Sequence, residues 1–495
     1  MLSLIIFLPL VVGLLLCVVR LPDLVARWVW VVTALAEFVL VVTLWVTARP
    51  GSSGLWAEEQ LRWIPSVGVS YHVGVDGLSL PLLGLTAVIF VAAAAYAFAQ
   101  HDRPRLYAAV NLFLQSTCFG LFAAQDLILF FVFFDLSIVA MYLVIARWGH
   151  GATHRRSALK FFLYTFLGSL ALLGAFIGLF VASNPHTFDM VALAAHPPLV
   201  GRPGAATLVI VLLLIGLAVK TPTVPFHTWL PPAHTDAPTV GSLVLAAVLL
   251  KMGTYGFVRI AMPMLPESWR QWSWVIIVVG VVSVLYGALV ALAQTDLKRT
   301  IAYTSVNHMG YVVLGVGVAG LTARSDEVAR QIAVTGAVTQ MVSHGLITGA
   351  LFLLAGTFWE RRQSYALDDY GGLARSAPRL TAMFGLAAFA SLGLPGFSGF
   401  VAEFQIFTGS IALAPVTAVA LLGILITAGL FLRALQRVFT GPQRGASVDF
   451  ADLSPHEVLA AGLLLVPAVA IGLVPRPLLA VITPAAQTLI RQLGG

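Results

Sequence analysis

Stretches of about 20 predominantly apolar residues recur fourteen times in this chain, at roughly 3–19, 28–47, 79–99, 107–124, 127–146, 161–182, 206–222, 238–260, 273–294, 300–320, 331–358, 380–409, 411–433 and 456–475. A helix of that length spans the hydrocarbon layer of a bilayer, where no water is at hand and each backbone group must find a partner within the protein. The expected fold is therefore all-α and integral to the membrane, with about 14 transmembrane helices in a single polytopic domain over 1–495. Composition agrees, since 59% of residues are hydrophobic, 10% are charged and the mean hydropathy is +0.94, beyond what a soluble core requires. The first run begins at Met1 without a small-residue cleavage site, so it is expected to be a retained helix and not a signal peptide.

The net charge of +7 does not point to nucleic acid, because the basic residues are spread over short connections with no long run or basic domain. Their distribution reports topology instead. With an even helix count, connections on one side carry Arg20, Arg27, Arg103, Arg105, Arg147, Arg155, Arg156, Lys160, Lys298, Arg299, Arg361, Arg362, Arg375, Arg379, Arg433, Arg437 and Arg444. The other side, with both termini, has Arg49, Arg62, Arg202, Arg259, Arg270, Arg324, Arg330, Arg476 and Arg491. Of 28 basic residues the split is 17 to 9, with two inside apolar runs, and the positive-inside rule places both termini on the non-cytoplasmic side. The longest connections, about 48–78 and 183–205, fall on that side and are rich in Gly, Pro and Ser. Cys17 and Cys118 lie singly in apolar runs and read as packing residues. With no cysteine cluster and no GxGxxG after a strand, the chain is expected to bind no cofactor or metal of its own.

Two runs are broken by their own residues. The seventh reaches Lys220 and meets Pro222 and Pro225, then Pro231, Pro232 and Pro238 in HTWLPPAHTDAPT. The twelfth is interrupted by SLGLPGFSGF, residues 391–400, with Pro395 between glycines. Irregular backbone at membrane depth is tolerated where it lines a wet cavity or is buried in protein. One such segment in each half is the expected mark of inverted repeats, here the fourth to eighth runs (about 107–260) against the ninth to thirteenth (about 273–433).

Ionisable residues inside the runs narrow the function. Lys220, Lys251, Asp135 and Glu403 occupy stretches apolar enough to span a bilayer, where a charge costs at least ~2.5–3.5 kcal/mol on the insertion scale and marks ion or proton movement. Lys220 lies near the end of its run, so a structural lysine snorkelling to an interface is the alternative. Lys251 is preceded by ten apolar or small residues and has no such excuse. Desolvation disfavours the lysine cation and a neighbouring carboxylate restores it, so a buried lysine with a switchable partner can load and release a proton. Asp135, the only charged group between Asp126 and Arg147, supplies a partner. His308 in YTSVNHMGY and His344 in TQMVSHGLI read either as hydrogen-bonded core residues or as relay members.

These residues sit in long motifs: AVKTPTVPFHTWLPPAHTDAPTVGSLVLAAVLLKMGTYGFVR (218–259), QTDLKRTIAYTSVNHMGYV (294–312), GAVTQMVSHGLITGALFLLAG (336–356), GVDGLSLPLLGLTAV (74–88) and LPGFSGFVAEF (394–404). Together they resemble the antiporter-like membrane subunits of respiratory complex I, the NADH:quinone oxidoreductase, over nearly the whole chain. The length near 500, GVDGLSL and an acidic twelfth run resemble the M-type chain; the L-type usually adds a long lateral helix, and about 20 residues remain after the last run. The resemblance implies a proton path in which Lys220 is the central lysine of the broken seventh helix and Asp135 its counter-charge. Lys251 would link two half-channels, His308 and His344 would lie on the central axis, and Glu403 would be the terminal acid. The position of Asp135 is normally Glu in the family, so the shorter side chain is expected to meet Lys220 more weakly or through water.

By the same resemblance the chain binds no cofactor; FMN, iron–sulfur clusters and quinone belong to partner subunits. Its partners would be the other membrane and peripheral subunits, including neighbouring antiporter-like chains, and the lipid of a bacterial-type cytoplasmic membrane. A subunit of a multi-subunit cation/proton antiporter, a membrane subunit of a hydrogenase-type complex and a structural spacer without translocation share these features. Cysteines introduced at Ser52 and Thr153 are expected to react with a membrane-impermeant reagent from the outside and from the cytoplasm, respectively. The reverse labelling pattern would overturn the orientation.

Overall fold

The computed structural model of the chain describes residues 1–48, 54–99, 102–321 and 326–494. Arg49 and Arg324 of the basic-residue count, and the labelling position Ser52, lie outside them. The chain begins with α1 (Leu2–Val18) and α2 (Asp23–Thr47), followed by strands β1 (Trp56–Ile64) and β2 (Val69–Val75). Helices α3 (Leu80–Tyr96), α4 (Pro104–Ala123), α5 (Leu127–Trp148) and α6 (His154–Ala182) precede the short α7 (Met190–Ala195). Next come α8 (Pro203–Lys220) and α9 (Leu230–Asp236). A rod follows in which α10 (Thr239–Val244), α11 (Leu250–Gly256) and α12 (Met262–Met264) are joined by π-turns at Leu245–Leu249 and Phe257–Ala261. The second half holds α13 (Pro266–Leu292), α14 (Leu297–Val318), α15 (Glu327–Arg362), α16 (Pro378–Ser391) and α17 (Ser398–Leu413). It ends with α18 (Leu421–Val438), α19 (Pro455–Leu473) and α20 (Arg476–Gln492).

Among the described residues, 11 helices are long and apolar enough to cross a membrane, and the protein is an integral multi-pass membrane protein. Helix α14 is not one of those 11, because LKRTIAYTSVNHMGY is too polar to face lipid. It is instead enclosed by α13, α15 and α17, with Thr304, Ser305 and Asn307 fully buried. Helix α15 occupies the centre and packs against α3, α10, α14, α16, α17, α19 and α20.

Both sequence-level breaks are breaks in the structure, and each is stitched to its surroundings. After α8 ends at Lys220, the Thr223 N–H returns to the Ala218 carbonyl at 3.1 Å and Trp229 Nε1 donates to the Val219 carbonyl at 2.9 Å. Ser283 Oγ on α13 accepts from Val224 N–H at 3.0 Å. These bonds satisfy the backbone groups that Pro222 and Pro225 free, as a buried break requires. Between α16 and α17, Gly393 (φ +67°) adopts the left-handed conformation that turns the chain. Ser398 Oγ at the start of α17 meets Ser343 Oγ of α15 at 2.8 Å.

Three expectations need correction. The stretch 48–78, read as a connection, contains the antiparallel hairpin β1–β2, so among the described residues the helical body carries a small two-stranded sheet. A search for apolar runs of about 20 residues passes over strands of 9 and 7 residues, and the hairpin turn itself rests on Pro65–Val67 and Gly68 (φ +67°). Lys298, counted with a loop, is fully buried at the start of α14. Cys118 is buried as expected of a packing residue, whereas Cys17, near the end of α1, is exposed.

The hairpin is clasped to the helices by His72. Its Nδ1 meets Asp189 Oδ2 at 2.5 Å, just ahead of α7, and its Nε2 meets Glu58 Oε1 of β1 at 2.8 Å. Burial pulls the imidazole down, but hydrogen bonds and charge from Asp189 and Glu58 outweigh it and hold His72 above its ordinary 6.5. For Asp189 burial pushes upward, and the bond and charge of His72 together with hydrogen bonds from the Ala192 and Val191 backbone outweigh it to hold the carboxyl below its ordinary 3.8. A raised histidine stabilises fully below 6.5 and loses that contribution as pH rises through its folded value; a lowered carboxyl loses its contribution on acidification. Hydrogen exchange of the hairpin amides, corrected for intrinsic rates, is expected to be slowest between about pH 4 and 6.5 and to quicken as pH rises further. In His72→Gln this rise should flatten, and a wild-type profile in the variant would exclude the clasp.

Candidate functional site

The break after α8 places Lys220 at the last position of a helix, where a cation is favoured by the helix dipole, yet inside the protein with 1% of its surface exposed. Its Nζ lies 4.6 Å from the Phe134 ring centroid and donates to Ser137 Oγ at 3.3 Å, both on α5. Ser137 in turn donates to the Phe134 carbonyl at 2.6 Å. Asp135 shares this turn of α5, senses the charge of Lys220 and is influenced by Ser169 on α6. Its Oδ1 has no hydrogen-bond partner, and the ion pairs among the described residues do not include Asp135 with Lys220. The lysine is thus held by a hydroxyl and an aromatic face, with its acid nearby and unclosed.

Lys251, fully buried, follows the first π-turn of the α10–α12 rod. A π-turn inserts one residue into the helical repeat and is frequent at functional sites. Its Nζ donates to the Ala246 carbonyl within that turn at 2.6 Å and meets Nδ1 of His344, on α15, at 2.5 Å. An ammonium has only donors, so Nδ1 of His344 accepts and Nε2 is left; Nε2 is buried without a partner. The His344 and His308 rings are 5.5 Å apart between centroids. Nε2 of His308 meets Ser391 Oγ, at the broken end of α16, at 3.2 Å. Nδ1 faces two groups, the Gln340 amide at 3.2 Å and Glu403 Oε1 at 3.5 Å. The neutral ring can accept from Gln340 through Nδ1, while the imidazolium can donate to Glu403 through the same atom.

Glu403, 5% exposed, is pressed against Gly393 of the break, where a Cβ would stand 2.5 Å from Oε2. A side chain at position 393 would therefore collide with the carboxylate. His308, Gln340, Ser343, His344, Ser391 and Glu403 line a cavity of about 10 Å³, the scale of one water molecule. Four of the six residues picked from the sequence thus form one file, Lys251–His344–His308–Glu403. Lys220 and Asp135 form a second cluster across the α8–α11 contact. Between them Thr221 Oγ1, buried without a hydrogen-bond partner, abuts Gly253, two residues beyond Lys251.

Sequence reasoning missed three members of this neighbourhood. Gln340 sits one helical turn before His344 and bridges His308 and Glu403. His234 on α9 is fully buried, stacked on Phe352 at 4.3 Å, with both ring nitrogens unpartnered, and it senses Lys251 and Lys298. Lys298 donates to the Ala237 carbonyl at 2.6 Å, capping the C-terminus of α9, and lies 5.2 Å from the Tyr365 ring centroid. The signal for His234 was present in the proline-rich segment itself; that for Lys298 was not, since its helix reads as polar. Among the described residues, no group of three or more His, Cys, Asp or Glu side chains is placed to hold a metal ion. The chemistry that these groups can perform is proton exchange between nitrogen and oxygen sites.

Comparison with known proteins bears on the same residues. The family model described as NADH:quinone oxidoreductase/Mrp antiporter, transmembrane, matches residues 124–429, which include all six. The NAD(P)H-quinone oxidoreductase chain 4 1 of Picosynechococcus sp. is 41% identical over 467 residues, covering 91% of this chain and 84% of that one. The NADH-quinone oxidoreductase subunit M of Rickettsia prowazekii is 35% identical over 474 residues, covering 94% and 93%. Among solved structures, a chain of respiratory complex I from Thermus thermophilus with bound NADH superimposes with a TM-score of 0.89 at 32% identity, covering 100% of both chains. The breaks, the buried lysines and these likenesses together place the chain in the NADH:quinone oxidoreductase/Mrp antiporter transmembrane family.

Proposed function

We propose that this chain is the M-type proton-translocating membrane subunit of an NADH:quinone oxidoreductase. The observation that carries the reading is the enclosed file Lys251–His344–His308–Glu403, which joins a π-turn in one half of the chain to the broken helix of the other. Adding α1, α14 and the α16–α17 pair to the 11 long apolar helices gives fourteen crossings, with inverted repeats over about 107–260 and 273–433. The membrane is a bacterial cytoplasmic membrane with both termini outside. FMN, iron–sulfur clusters and quinone sit in partner subunits, to which this chain is joined alongside neighbouring antiporter-like chains.

In this reading quinone reduction elsewhere in the complex rearranges charge along the membrane arm. Movement of the Asp135 carboxylate relative to Lys220 changes how strongly the ammonium holds its proton, because an opposite charge favours the cation and desolvation opposes it. The proton released at Lys220 passes the Thr221–Gly253 contact to Lys251. Nζ of Lys251 gives a proton to Nδ1 of His344; from Nε2 a proton crosses the water-sized cavity to His308, and Nδ1 of His308 hands it to Glu403. The relatives' names favour the quinone oxidoreductase over the cation/proton antiporter within the family.

Since Asp135 does not close on Lys220, length and charge are separable at this position. Asp135→Asn is expected to lower coupled pumping, because the amide keeps the shape but cannot carry the charge that favours the Lys220 cation. Asp135→Glu should retain or raise it. A wild-type proton gradient in the Asn variant would favour the spacer reading.

Lys220→Ala and Glu403→Gln are each expected to lower quinone-coupled proton uptake into vesicles by roughly tenfold or more. Assembly is checked first by native gel, because stripping one partner from a buried charged group can cost ~3–5 kcal/mol. Unchanged pumping in both assembled variants would overturn the path through Lys220, Lys251 and Glu403.

A further inference from the structure

Outside this file, unpartnered buried polar atoms gather at the seam of α2 and α4. Glu37 lies mid-helix in VTALAEFVLVV, is 0% exposed, and has no hydrogen-bond partner on either carboxylate oxygen. On α4, Gln115 is also 0% exposed with both amide atoms unpartnered, and Asn111 Oδ1 is unpartnered as well. Trp30 Nε1, on the buried stripe of α2 with Thr33, Ala34 and Glu37, completes the set.

Register brings these groups to one depth. The Arg105 guanidinium at the start of α4 donates to the Val19 carbonyl just ahead of α2, so the two helices start at the same end of the bundle. The Trp30 and Tyr107 rings meet edge-on at 5.9 Å. From that contact Glu37 is about 10 Å further along α2, and Asn111 and Gln115 are about 6 and 12 Å further along α4, at a rise of 1.5 Å per residue. Helices α1, α3 and α4 pack against α2. From α1 the buried residues are apolar; α3 brings no charged residue and only Tyr96 at its far end; α4 brings Tyr107, Cys118 and, at its start, Arg105, whose guanidinium is bound to the Val19 carbonyl. The ion pairs among the described residues do not include Glu37.

A buried carboxyl beside unpaired amide and indole groups is costly unless water or an ion satisfies them. The Trp30 N–H and the Gln115 NH2 group are donors that repel a metal cation and suit water and a protonatable acid. One turn beyond Gln115, the Cys118 thiol lies within electrostatic reach of the Lys220 ammonium, so α4 stands between the seam and the Lys220–Asp135 cluster.

We propose that Glu37 is a proton-binding carboxyl of the transport machinery, exchanging its proton with Lys220 through water held by Asn111 and Gln115 and past the Cys118 turn. The step is a simple acid–base exchange. The O–H bond of the Glu37 carboxyl breaks as an N–H bond forms at Lys220 Nζ, with intervening waters each gaining and losing one proton. The inference rests on the translocation reading above and adds a lateral loading site to it.

The test uses the whole complex in lipid vesicles, comparing Glu37→Gln, which keeps shape without a titratable group, with Glu37→Asp. In infrared difference spectra taken between resting and turning-over enzyme, wild type should show a carboxylic-acid carbonyl band that disappears in Glu37→Gln and shifts in Glu37→Asp. Pumping should fall several-fold in Glu37→Gln with an altered pH profile, and Glu37→Asp should recover part of it. Where Glu37→Gln lowers assembly, the band shift in Glu37→Asp decides. An unshifted band, or wild-type pumping and pH profile in Glu37→Gln, would overturn the proposal. A sodium requirement that vanishes in Glu37→Gln would overturn it in favour of a metal cation. If Lys220→Ala and Glu403→Gln lose pumping while Glu37→Gln does not, only the role of Glu37 fails; if none of the three loses pumping, the translocation reading itself fails.

Discussion

A helix broken inside a membrane exposes carbonyl and amide groups that no water can satisfy, so each break must be enclosed by protein that supplies partners. Much of this structure follows from that requirement. Trp229, Thr223 and Ser283 close the break after Lys220, and the Ser343–Ser398 contact with the Gly393 turn closes the one before Glu403. Of the helices that meet these breaks, α15 is buried and polar, and α14 packs beside it. These two helices also carry His308, Gln340 and His344.

Enclosure then sets the electrostatics. Within the file the charged and chargeable groups touch one another or neutral dipoles: Lys251 has a carbonyl and an imidazole, His308 has a hydroxyl, an amide and a carboxylate. A closed ion pair at low dielectric would be hard to open, because separating two desolvated charges costs far more there than in water. A hydroxyl or a neutral imidazole can both donate and accept a hydrogen bond, so such neighbours do not lock a proton in one place. The arrangement around Lys220 follows the same logic, with Ser137 and the Phe134 face holding the ammonium while Asp135 stands off.

The hairpin side works differently. There buried His72 lies between the carboxylates of Asp189 and the more exposed Glu58, and Arg259 pairs with Asp76 at 2.6 Å beside the second π-turn. These are direct pairs that fix the hairpin and the start of α3 to the helical body. Pairs on the hairpin side are closed, whereas Asp135 and Lys220 in the interior are not.

Much of this was legible in the residues alone. Run lengths set the helices; Pro222, Pro225 and Pro395 with its flanking glycines set the breaks; lysines and acids inside apolar runs marked the site. These are local properties, decided by chain stereochemistry and by the cost of charge in hydrocarbon. Which groups meet was decided only by tertiary packing. Lys251 and His344 are 93 residues apart, and no periodicity joins them. Hydropathy along one chain cannot tell a face turned to lipid from one turned to protein, so the run 300–320 that became α14 read as a span like the others, Lys298 as a loop residue, and Glu37 not at all. The same blindness hid Ser137, because the choice between a hydroxyl and a carboxylate one helical step away depends on how α8 is rotated against α5. The sequence by itself determined where the helices run and break and which charges must be kept from lipid; only the fold decided their partners, because contact depends on the rotation and depth of helices far apart in the chain.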